Sequence, residues 1–359
     1  MIPGKSTRPV KIGKVVIGGG APVSIQSMTT TRPSDVRKTV EQITKLTEAG
    51  CEIIRVACPE EKDARALGKI KSRISIPLVA DIHFNHKFAL IAIEEGVDKL
   101  RLNPGNIGGR DRIAEVVKKA RAAKVPIRIG VNAGSLEKDL MEKTGPTAAA
   151  LVESAKRQIA LFEELDFRDV VVSLKASDVP TMIEAYRLAS RSFDYPLHLG
   201  VTEAGTLLRG SVANAVGIGT LLQEGIGDTL RVSLTADPVE EIRVAKMILE
   251  SLNLRKGVRV ISCPSCGRAE VDVFKLAAEV EKRAMKLKDP LTISVLGCAV
   301  NGPGEAHESD FGSTGGKRRG MIYIDGKQNR TVPEGKLVDE LFGEIGKGKP
   351  KSGSGRAVS

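Results

Sequence analysis

Short apolar runs alternate with amphipathic stretches along the first two thirds of the chain. The apolar runs predict eight strands, at residues 23–28, 52–57, 77–83, 98–103, 127–132, 169–175, 197–202 and 229–234. A helical period follows each run, near residues 34–48, 60–73, 85–95, 110–124, 147–165, 178–193, 207–224 and 237–251. Eight strand–helix units over ~230 residues favour a closed (β/α)₈ TIM barrel over the alternative, a doubly wound open sheet.

Two local features flank the first barrel strand: a hairpin before it and a helix after it. Residues 10–17 predict a short hairpin before the first barrel strand. The first helix is expected to begin at Ser34 as N-cap and to end at Gly50, because glycine accepts the left-handed conformation that ends many helices. Its apolar face consists of Val36, Val40, Ile43 and Leu46.

After Asn253 the repeating pattern stops, and residues 255–257 are interpreted as a linker. Strands at 258–262, 291–296 and 320–324, with helices near 270–287 and 334–345, predict a smaller α+β module. The predicted organisation is therefore a barrel domain at 1–254 and a module at 255–345. Residues 346–359, rich in Lys, Gly and Ser, are predicted to form a disordered basic tail.

The strands place polar side chains at every second residue, on the face opposite their apolar neighbours. Barrel enzymes carry their active sites at the C-terminal ends of the strands, here called the barrel mouth. The side chains expected inside are Ser24, Gln26, Met28, Arg55, Asp81, His83, Arg101, Asn103, Arg128, Asn132, Ser173, Lys175, His198, Thr202, Arg231 and Ser233. Five strands aim a cation at the mouth, whereas the expected acids there are Asp81 and Glu203. The pattern predicts a site for a multiply charged anion, most simply a diphosphate.

Eleven of these residues are predicted to bind substrate: Arg55, Asp81, His83, Arg101, Asn103, Arg128, Asn132, Lys175, His198, Arg231 and Ser233. Glu203, a carboxylate at the rim of a cationic pocket, is the predicted general acid or base.

Composition narrows the class of protein. The 359 residues carry a formal charge of +11, but aromatic residues make up only 3% of them. Few aromatic side chains for base stacking disfavour a nucleic-acid partner and leave an anionic small molecule as the better explanation. No apolar run reaches membrane length, no signal peptide is evident, and five unevenly placed cysteines argue against a secreted disulfide framework. We expect a cytoplasmic enzyme without a membrane partner.

Three of the five cysteines lie in the second module. Cys263 and Cys266 form a C-x-x-C pair, and Cys298 follows 32 residues later, near Glu305 and His307. Three thiolates select zinc or an iron–sulfur cluster. A thioredoxin-like redox pair and a zinc ribbon completed by His307 are alternatives, but a weak fourth ligand favours a catalytic cluster with one open iron. Cys51 and Cys58, which flank the second strand, are predicted to be structural.

At these motifs the chain resembles bacterial 4-hydroxy-3-methylbut-2-enyl diphosphate synthases of the methylerythritol phosphate route to isoprenoids. The likeness runs from Ser-Ile-Gln-Ser-Met-Thr at 24–29 to Asn-Gly-Pro-Gly-Glu at 301–305. It implies a [4Fe-4S] cluster held by Cys263, Cys266, Cys298 and Glu305. It also implies that 2-C-methyl-D-erythritol 2,4-cyclodiphosphate is opened and reduced with loss of water.

The resemblance further implies two partners and two catalytic carboxylates. Two electrons would come from flavodoxin or ferredoxin, and two chains would form a head-to-tail homodimer. Glu305 would be an exchangeable ligand that takes part in catalysis, and Glu203 would assist proton transfer. Two different functions remain as rivals: a zinc-stabilised barrel enzyme of pterin or phosphosugar chemistry, and a basic RNA-binding protein with a zinc ribbon.

Overall fold

The computed structural model describes residues 6–103, 107–287, 289–298, 304, 306–316 and 319–348. The chain divides into two compact units, Met1–Leu254 and Arg255–Ser359. Among the described residues, none of the helices combines the length and apolar character that crossing a bilayer requires. The predicted basic tail lies outside the described residues from position 349 onward.

The first unit is a parallel barrel preceded by an antiparallel hairpin, β1 (Val10–Ile12) and β2 (Val15–Ile17). The barrel strands are β3 (Ser24–Met28), β4 (Ile53–Ala57), β5 (Leu78–Asp81), β6 (Lys99–Leu102), β7 (Ile127–Asn132), β8 (Val170–Lys175), β9 (His198–Leu199) and β10 (Thr229–Leu230). Each pairs in parallel with its neighbours, and a parallel bridge from Val172 to Leu197 joins β8 to β9 and closes the circle. The predicted closed barrel is confirmed.

Helices follow the strands as predicted. They are α1 (Val36–Ala49), α2 (Glu61–Arg65), α3 (Leu67–Lys71), α4 (His86–Glu94), α5 (Arg110–Ala123), α6 (Lys138–Thr144), α7 (Ala148–Glu164), α8 (Val179–Ser192), α9 (Leu207–Gln223) and α10 (Pro238–Ser251). The segment predicted as one helix at 60–73 is two short helices, divided at Ala66. Helix α6 was not predicted from the sequence.

The predicted start of α1 is one residue too early. Asp35, not Ser34, is the N-cap, because its carboxylate accepts a hydrogen bond from the Lys38 amide. Ser34 instead donates its own amide to the buried Asp63 carboxylate at 3.0 Å. Gly50 ends the helix with φ near 112°, as predicted.

Two apolar clusters hold the barrel together. The larger lies between strands and helices and includes the strand residues predicted to face outward, such as Ile54, Leu100 and Val172. The smaller closes the N-terminal end of the barrel, where β1 and β2 pack onto the first residues of the strands. Its buried members are Val10, Ile12, Ile17, Ile53, Val79 and Val171. This apolar plug, named here for those six residues, leaves the polar interior above it.

The second unit is built on a five-stranded sheet, with one helix, α11 (Val273–Ala284), after its first strand and another, α12 (Leu337–Ile345), at its end. The strands are β11 (Val258–Ser262), β12 (Leu291–Leu296), β13 (Phe311–Gly316), β14 (Arg319–Ile324) and β15 (Lys327–Pro333), in that spatial order. Three of them were predicted. β13 and β15 were missed, because one is a glycine- and serine-rich run and the other a mostly exposed, polar edge strand.

Candidate active site

Asp81, at the end of β5, is the centre of an ion-pair network in the barrel. Its Oδ1 lies 3.1 Å from Arg101 Nη1 and 3.3 Å from His83 Nε2, and its Oδ2 lies 3.6 Å from Arg55 Nε. His83 Nε2 is also 2.5 Å from Arg101 Nη1. Burial opposes ionisation of Asp81, but Arg55 and the hydrogen bond from His83 together hold its pKa well below the usual range. The carboxylate thus fixes two guanidinium groups and one imidazole.

Arg55 has a second anchor in Met28 on the neighbouring strand. Its Nε and Nη2 lie 3.1 Å and 2.9 Å from the Met28 sulfur. Burial lowers the pKa of Arg55 to about 10, although Asp81 opposes this shift. Thioether sulfur is a weak acceptor, so Arg55 keeps capacity for a stronger anionic partner.

Arg231, after β10, is paired to an acid that was not predicted from the sequence. Glu241 of α10 receives Arg231 through two oxygens, with Nη2–Oε1 at 3.0 Å and Nε–Oε2 at 3.2 Å. The same carboxylate accepts hydrogen bonds from Ser27 Oγ and the Leu234 amide. Glu241 is therefore a buried clamp that joins β3, β10 and α10 around one guanidinium.

Arg128 and Lys175 are buried without an acidic partner among the residues that the structure describes. Arg128 is 1% exposed, and its Nε and Nη1 have no hydrogen-bond partner there. Burial, and then the neighbouring cations, lower the pKa of both side chains well below their ordinary values. Uncompensated buried charge is costly, so the site is built to receive negative charge from elsewhere.

Lys99 is a further buried cation, and it was not among the residues predicted to lie inside the barrel. It is fully buried on β6, and its Nζ lies 3.4 Å from Gln26 Oε1. Burial lowers its pKa well below the ordinary value, and Arg128 adds to the shift. The alternation that predicted Arg101 and Asn103 inside would also have placed Lys99 inside.

His198 lies in the same interior, on β9. It is fully buried, and neither ring nitrogen has a hydrogen-bond partner in the part of the chain described. Burial lowers its pKa well below the ordinary value, with Arg128 and Lys175 as the next causes. Neutral imidazole keeps one donor and one acceptor for a ligand.

Two glycines make room for these cations. A Cβ atom at Gly130 would lie 2.7 Å from Arg101 Nε, and one at Gly200 would lie 2.8 Å from Lys175 Nζ. At either distance a Cβ atom would force the neighbouring cation to shift. Arg101 and Lys175 therefore lie close to the backbone of these neighbouring segments.

The other predicted residues occupy the rim. Asn103 is buried at the end of β6, whereas Asn132 and Ser233 are half-buried. Glu203 is exposed and adopts a left-handed conformation with φ near 53°. The structure thus places Glu203 outside the buried cation cluster, on the loop that follows β9.

Charge is unbalanced across the barrel interior. Two carboxylates, Asp81 and Glu241, face six cations in the described residues: Arg55, Lys99, Arg101, Arg128, Lys175 and Arg231. The expectation that local acids cannot neutralise the cations therefore holds, although the acids are Asp81 and Glu241 rather than Asp81 and Glu203.

In the second unit, two predicted metal ligands follow paired strands. β11 and β12 run parallel with Ser262 beside Val295, so Cys263 and Cys298 follow the same end of the sheet. The Gly297 amide donates a hydrogen bond to Cys263 Sγ at 3.3 Å. Cys263 and Cys298 are half-buried and Cys266 is exposed. Glu305 lies outside the described residues.

The three cysteine thiols are a donor set that fits zinc or an iron–sulfur cluster. Among the described residues, which include His307 but not Glu305, no three His, Cys, Asp or Glu side chains converge on one metal position. A [4Fe-4S] cluster binds each thiolate to a different iron, and backbone N–H donors to the sulfurs tune such clusters. Burial raises the pKa of Cys51 to about 12 and that of Cys58 still further, which makes both inert as ligands.

Family models match both units of the chain. The GcpE TIM-barrel domain covers residues 7–246. The GcpE protein C-terminal domain covers residues 259–347. The chain belongs to the GcpE family.

Curated relatives of this GcpE chain match over nearly its whole length. The chain is 57% identical to 4-hydroxy-3-methylbut-2-en-1-yl diphosphate synthase (flavodoxin) of Exiguobacterium sibiricum, covering 96% of this chain and 94% of the relative. It is 58% identical to the synthase of the same name from Shouchella clausii, with the same coverage. The Bacillus subtilis synthase is 56% identical, over 94% of this chain and 90% of its own.

Solved structures confirm the barrel of this GcpE chain at the level of fold. Dihydropteroate synthase from Stenotrophomonas maltophilia matches with a TM-score of 0.51 and 13% identity, over 67% of this chain and 98% of that one. Dihydropteroate synthase from Yersinia pestis matches with a TM-score of 0.50 and 11% identity, over 70% of this chain and 100% of that one.

Proposed function

We propose that the buried cations of the barrel bind the diphosphate of 2-C-methyl-D-erythritol 2,4-cyclodiphosphate, and that the second unit holds a [4Fe-4S] cluster. As a GcpE enzyme, the chain is an oxidoreductase that forms 4-hydroxy-3-methylbut-2-en-1-yl diphosphate in isoprenoid precursor biosynthesis. The reaction adds two electrons and two protons, opens the ring and releases water. The observation that carries the proposal is the excess of buried cations over acids in one closed interior.

Each group of barrel residues has a distinct part in this proposal. Arg128 and Lys175 neutralise phosphate oxygens, since neither pairs with an acid among the residues that the structure describes. Arg55 and Arg101 are held ready by Asp81, and Arg231 by Glu241. His198 offers a neutral hydrogen-bonding ring, and Asn103, Asn132, His83 and Ser233 contact the substrate nearer the rim. Such prior orientation reduces the free-energy cost of ordering these side chains on binding.

Cys263, Cys266, Cys298 and Glu305 are the proposed ligands of the cluster. When bound, the cluster supplies single electrons and a Lewis-acidic iron. The Gly297 amide stabilises negative charge on Cys263 Sγ through its hydrogen bond. Glu305 is the ligand proposed to exchange during catalysis.

Glu203 is the proposed proton carrier at the rim. Its exposure lets it exchange protons with solvent, whereas the buried Asp81 is fixed as an anion by its cations. A rim carboxylate can deliver protons to a leaving hydroxyl without entering the cation cluster. The left-handed backbone at Glu203 is a strained conformation of the kind that collects at functional sites.

The proposed electron donor is flavodoxin, which appears in the names of the relatives, with ferredoxin as the alternative. A reducing compartment such as the cytoplasm suits the thiols. A homodimer, in which the second unit of one copy serves the barrel of the other, is also proposed. It is supported by an exposed apolar stripe on α9, formed by Leu208, Val212 and Val216.

Anaerobic reconstitution tests the proposal. The protein should bind about four irons and four sulfides per chain and convert the cyclodiphosphate when reduced by dithionite. Cys298→Ser should lose both iron and turnover, whereas Cys58→Ala should keep both. A wild-type protein that binds one zinc and stays colourless would instead favour the zinc-stabilised barrel.

A further inference from the structure

Helix α11 leaves two large apolar side chains in solvent. Phe274 is 73% exposed, and Met285, the C-cap residue, is 57% exposed. Ala278 lies between them, four residues after Phe274 and seven before Met285, so all three occupy one face of the helix. Grouped exposed apolar side chains on a stable helix mark an interaction surface.

A row of lysines borders this apolar line. Lys275, Lys282 and Lys286 are exposed and spaced by seven and four residues, which places them on one flank of the same face. In the described part of the chain, the ion pairs of α11 are those of Arg283 with Glu279 and Asp339, and none involves the three lysines.

Acids on α11 do not balance this row. Asp272 is occupied as the N-cap, where it accepts from the Lys275 amide, and Glu279 is bound to Arg283. Glu281, three residues after Ala278 and four before Met285, is the exposed acid that remains, and it lies on the apolar line itself. The surface therefore has three apolar side chains and one acid along its centre, and three lysines along one side.

The first turn of α11 is tied to both cysteine loops. A Cβ atom at Gly297 would lie 2.5 Å from a Val273 methyl and 3.5 Å from Cys263 Sγ. The Glu270 amide also donates to the Gly297 carbonyl at 2.8 Å. Phe274 therefore begins the exposed face one residue after the contact with the Cys298 loop.

We propose that this face, formed by Phe274, Ala278, Met285, Lys275, Lys282 and Lys286, is the docking surface for an acidic electron-carrier protein. The proposal rests on the proposed function, because a carrier needs a redox group at the three cysteines. Cations steer an acidic partner into encounter, and a central aromatic side chain supplies the buried contact. Each encounter oxidises one reduced carrier and delivers one electron, so two encounters complete one turnover.

A charge reversal of the lysine row tests the proposal with two reductants. The variant Lys275→Glu/Lys282→Glu/Lys286→Glu should raise the KM for reduced flavodoxin about tenfold or more. Turnover with dithionite and the KM for the cyclodiphosphate should stay unchanged. The Kd for oxidised flavodoxin, measured by biolayer interferometry, should rise by a similar factor, and the wild-type Kd should rise with salt. Phe274→Ala should also raise the KM for reduced flavodoxin and the Kd for oxidised flavodoxin.

A matched control carries three reversals on the barrel, Lys45→Glu/Lys118→Glu/Lys156→Glu, all at exposed lysines. It should leave both flavodoxin constants unchanged. Unaltered flavodoxin constants in the α11 variant would overturn the proposal. So would an equal loss with dithionite, which would mean that the variant impairs the enzyme itself, or a change of oligomeric state, which would assign the face to a second copy. Failure of the wild-type enzyme with dithionite would instead count against the proposed function.

Discussion

Arg231 and Glu241 meet through two parallel hydrogen bonds, and the same carboxylate also binds Ser27 and the Leu234 amide. Glu241→Gln should leave Arg231 without a matching anion, and the guanidinium group of Arg231 should no longer be held in one orientation. We expect the free energy of unfolding to fall by about 2 kcal/mol, less than for a fully buried pair because the Arg231 side chain is 19% exposed. The KM for the cyclodiphosphate should rise. Urea unfolding and steady-state kinetics measure the two effects.

Glu240→Gln is the control for this prediction, since Glu240 lies beside Glu241 on α10 but pairs with Arg243 near the surface. Its stability and KM should match those of the wild type. An unchanged KM in Glu241→Gln, despite lower stability, would restrict Glu241 to a structural part.

Arg128 is expected to strengthen substrate binding while lowering the stability of the substrate-free protein. Arg128→Met removes a buried charge that has no acidic partner in the described part of the chain, while filling similar space, so the substrate-free protein should become more stable by ~1 kcal/mol or more. Substrate affinity should fall at least about tenfold, because a charge-assisted contact is lost. Thermal unfolding with and without substrate shows both changes.

The exposed Arg121→Met is the corresponding control and should alter neither quantity. A loss of stability in Arg128→Met would mean that Arg128 is compensated within the free protein.

The buried lysines predict a pH dependence. The pKa of Lys175 in the folded protein lies well below its ordinary value of 10.5, so the unfolded chain binds more protons between the two values. Stability of the substrate-free protein should therefore rise with pH across that window and level off above 10.5. Bound diphosphate favours the charged lysine, so substrate binding at alkaline pH should take up protons.

Calorimetry in two buffers of different ionisation enthalpy measures that proton uptake. Lys175→Met should reduce it, whereas Lys118→Met on the barrel surface should not. No uptake in the wild type would show that Lys175 is already protonated in the free enzyme.

A glycine substitution at Glu203 separates the loss of the carboxylate from any effect of backbone strain. Glycine tolerates a φ near 53° better than any other residue, so Glu203→Gly should not lower stability. Turnover should nevertheless fall about 100-fold if the carboxylate moves a proton. Asp166→Gly, at another exposed left-handed position, should keep full activity. Full activity in Glu203→Gly would exclude Glu203 as the proton carrier.

The sequence predicted most of the barrel because period-two alternation is local. It placed Arg55, Asp81 and Arg101 on one face, and the structure joins them. Glu241 could not be found in this way, since it reaches the site from a helix whose orientation depends on packing. β13 was missed for a related reason: its glycines form a strand only because β12 and β14 lie on either side.

The apolar plug, to which β1 and β2 contribute, fills the N-terminal end of the barrel and leaves the mouth as its opening. Its six members are at most 1% exposed, so apolar side chains fill that end of the barrel. The mouth is then the route by which whatever neutralises Lys99, Arg128 and Lys175 is expected to enter and leave. The diphosphate is then expected to enter, and the solvent that it displaces to leave, through the same opening of the barrel.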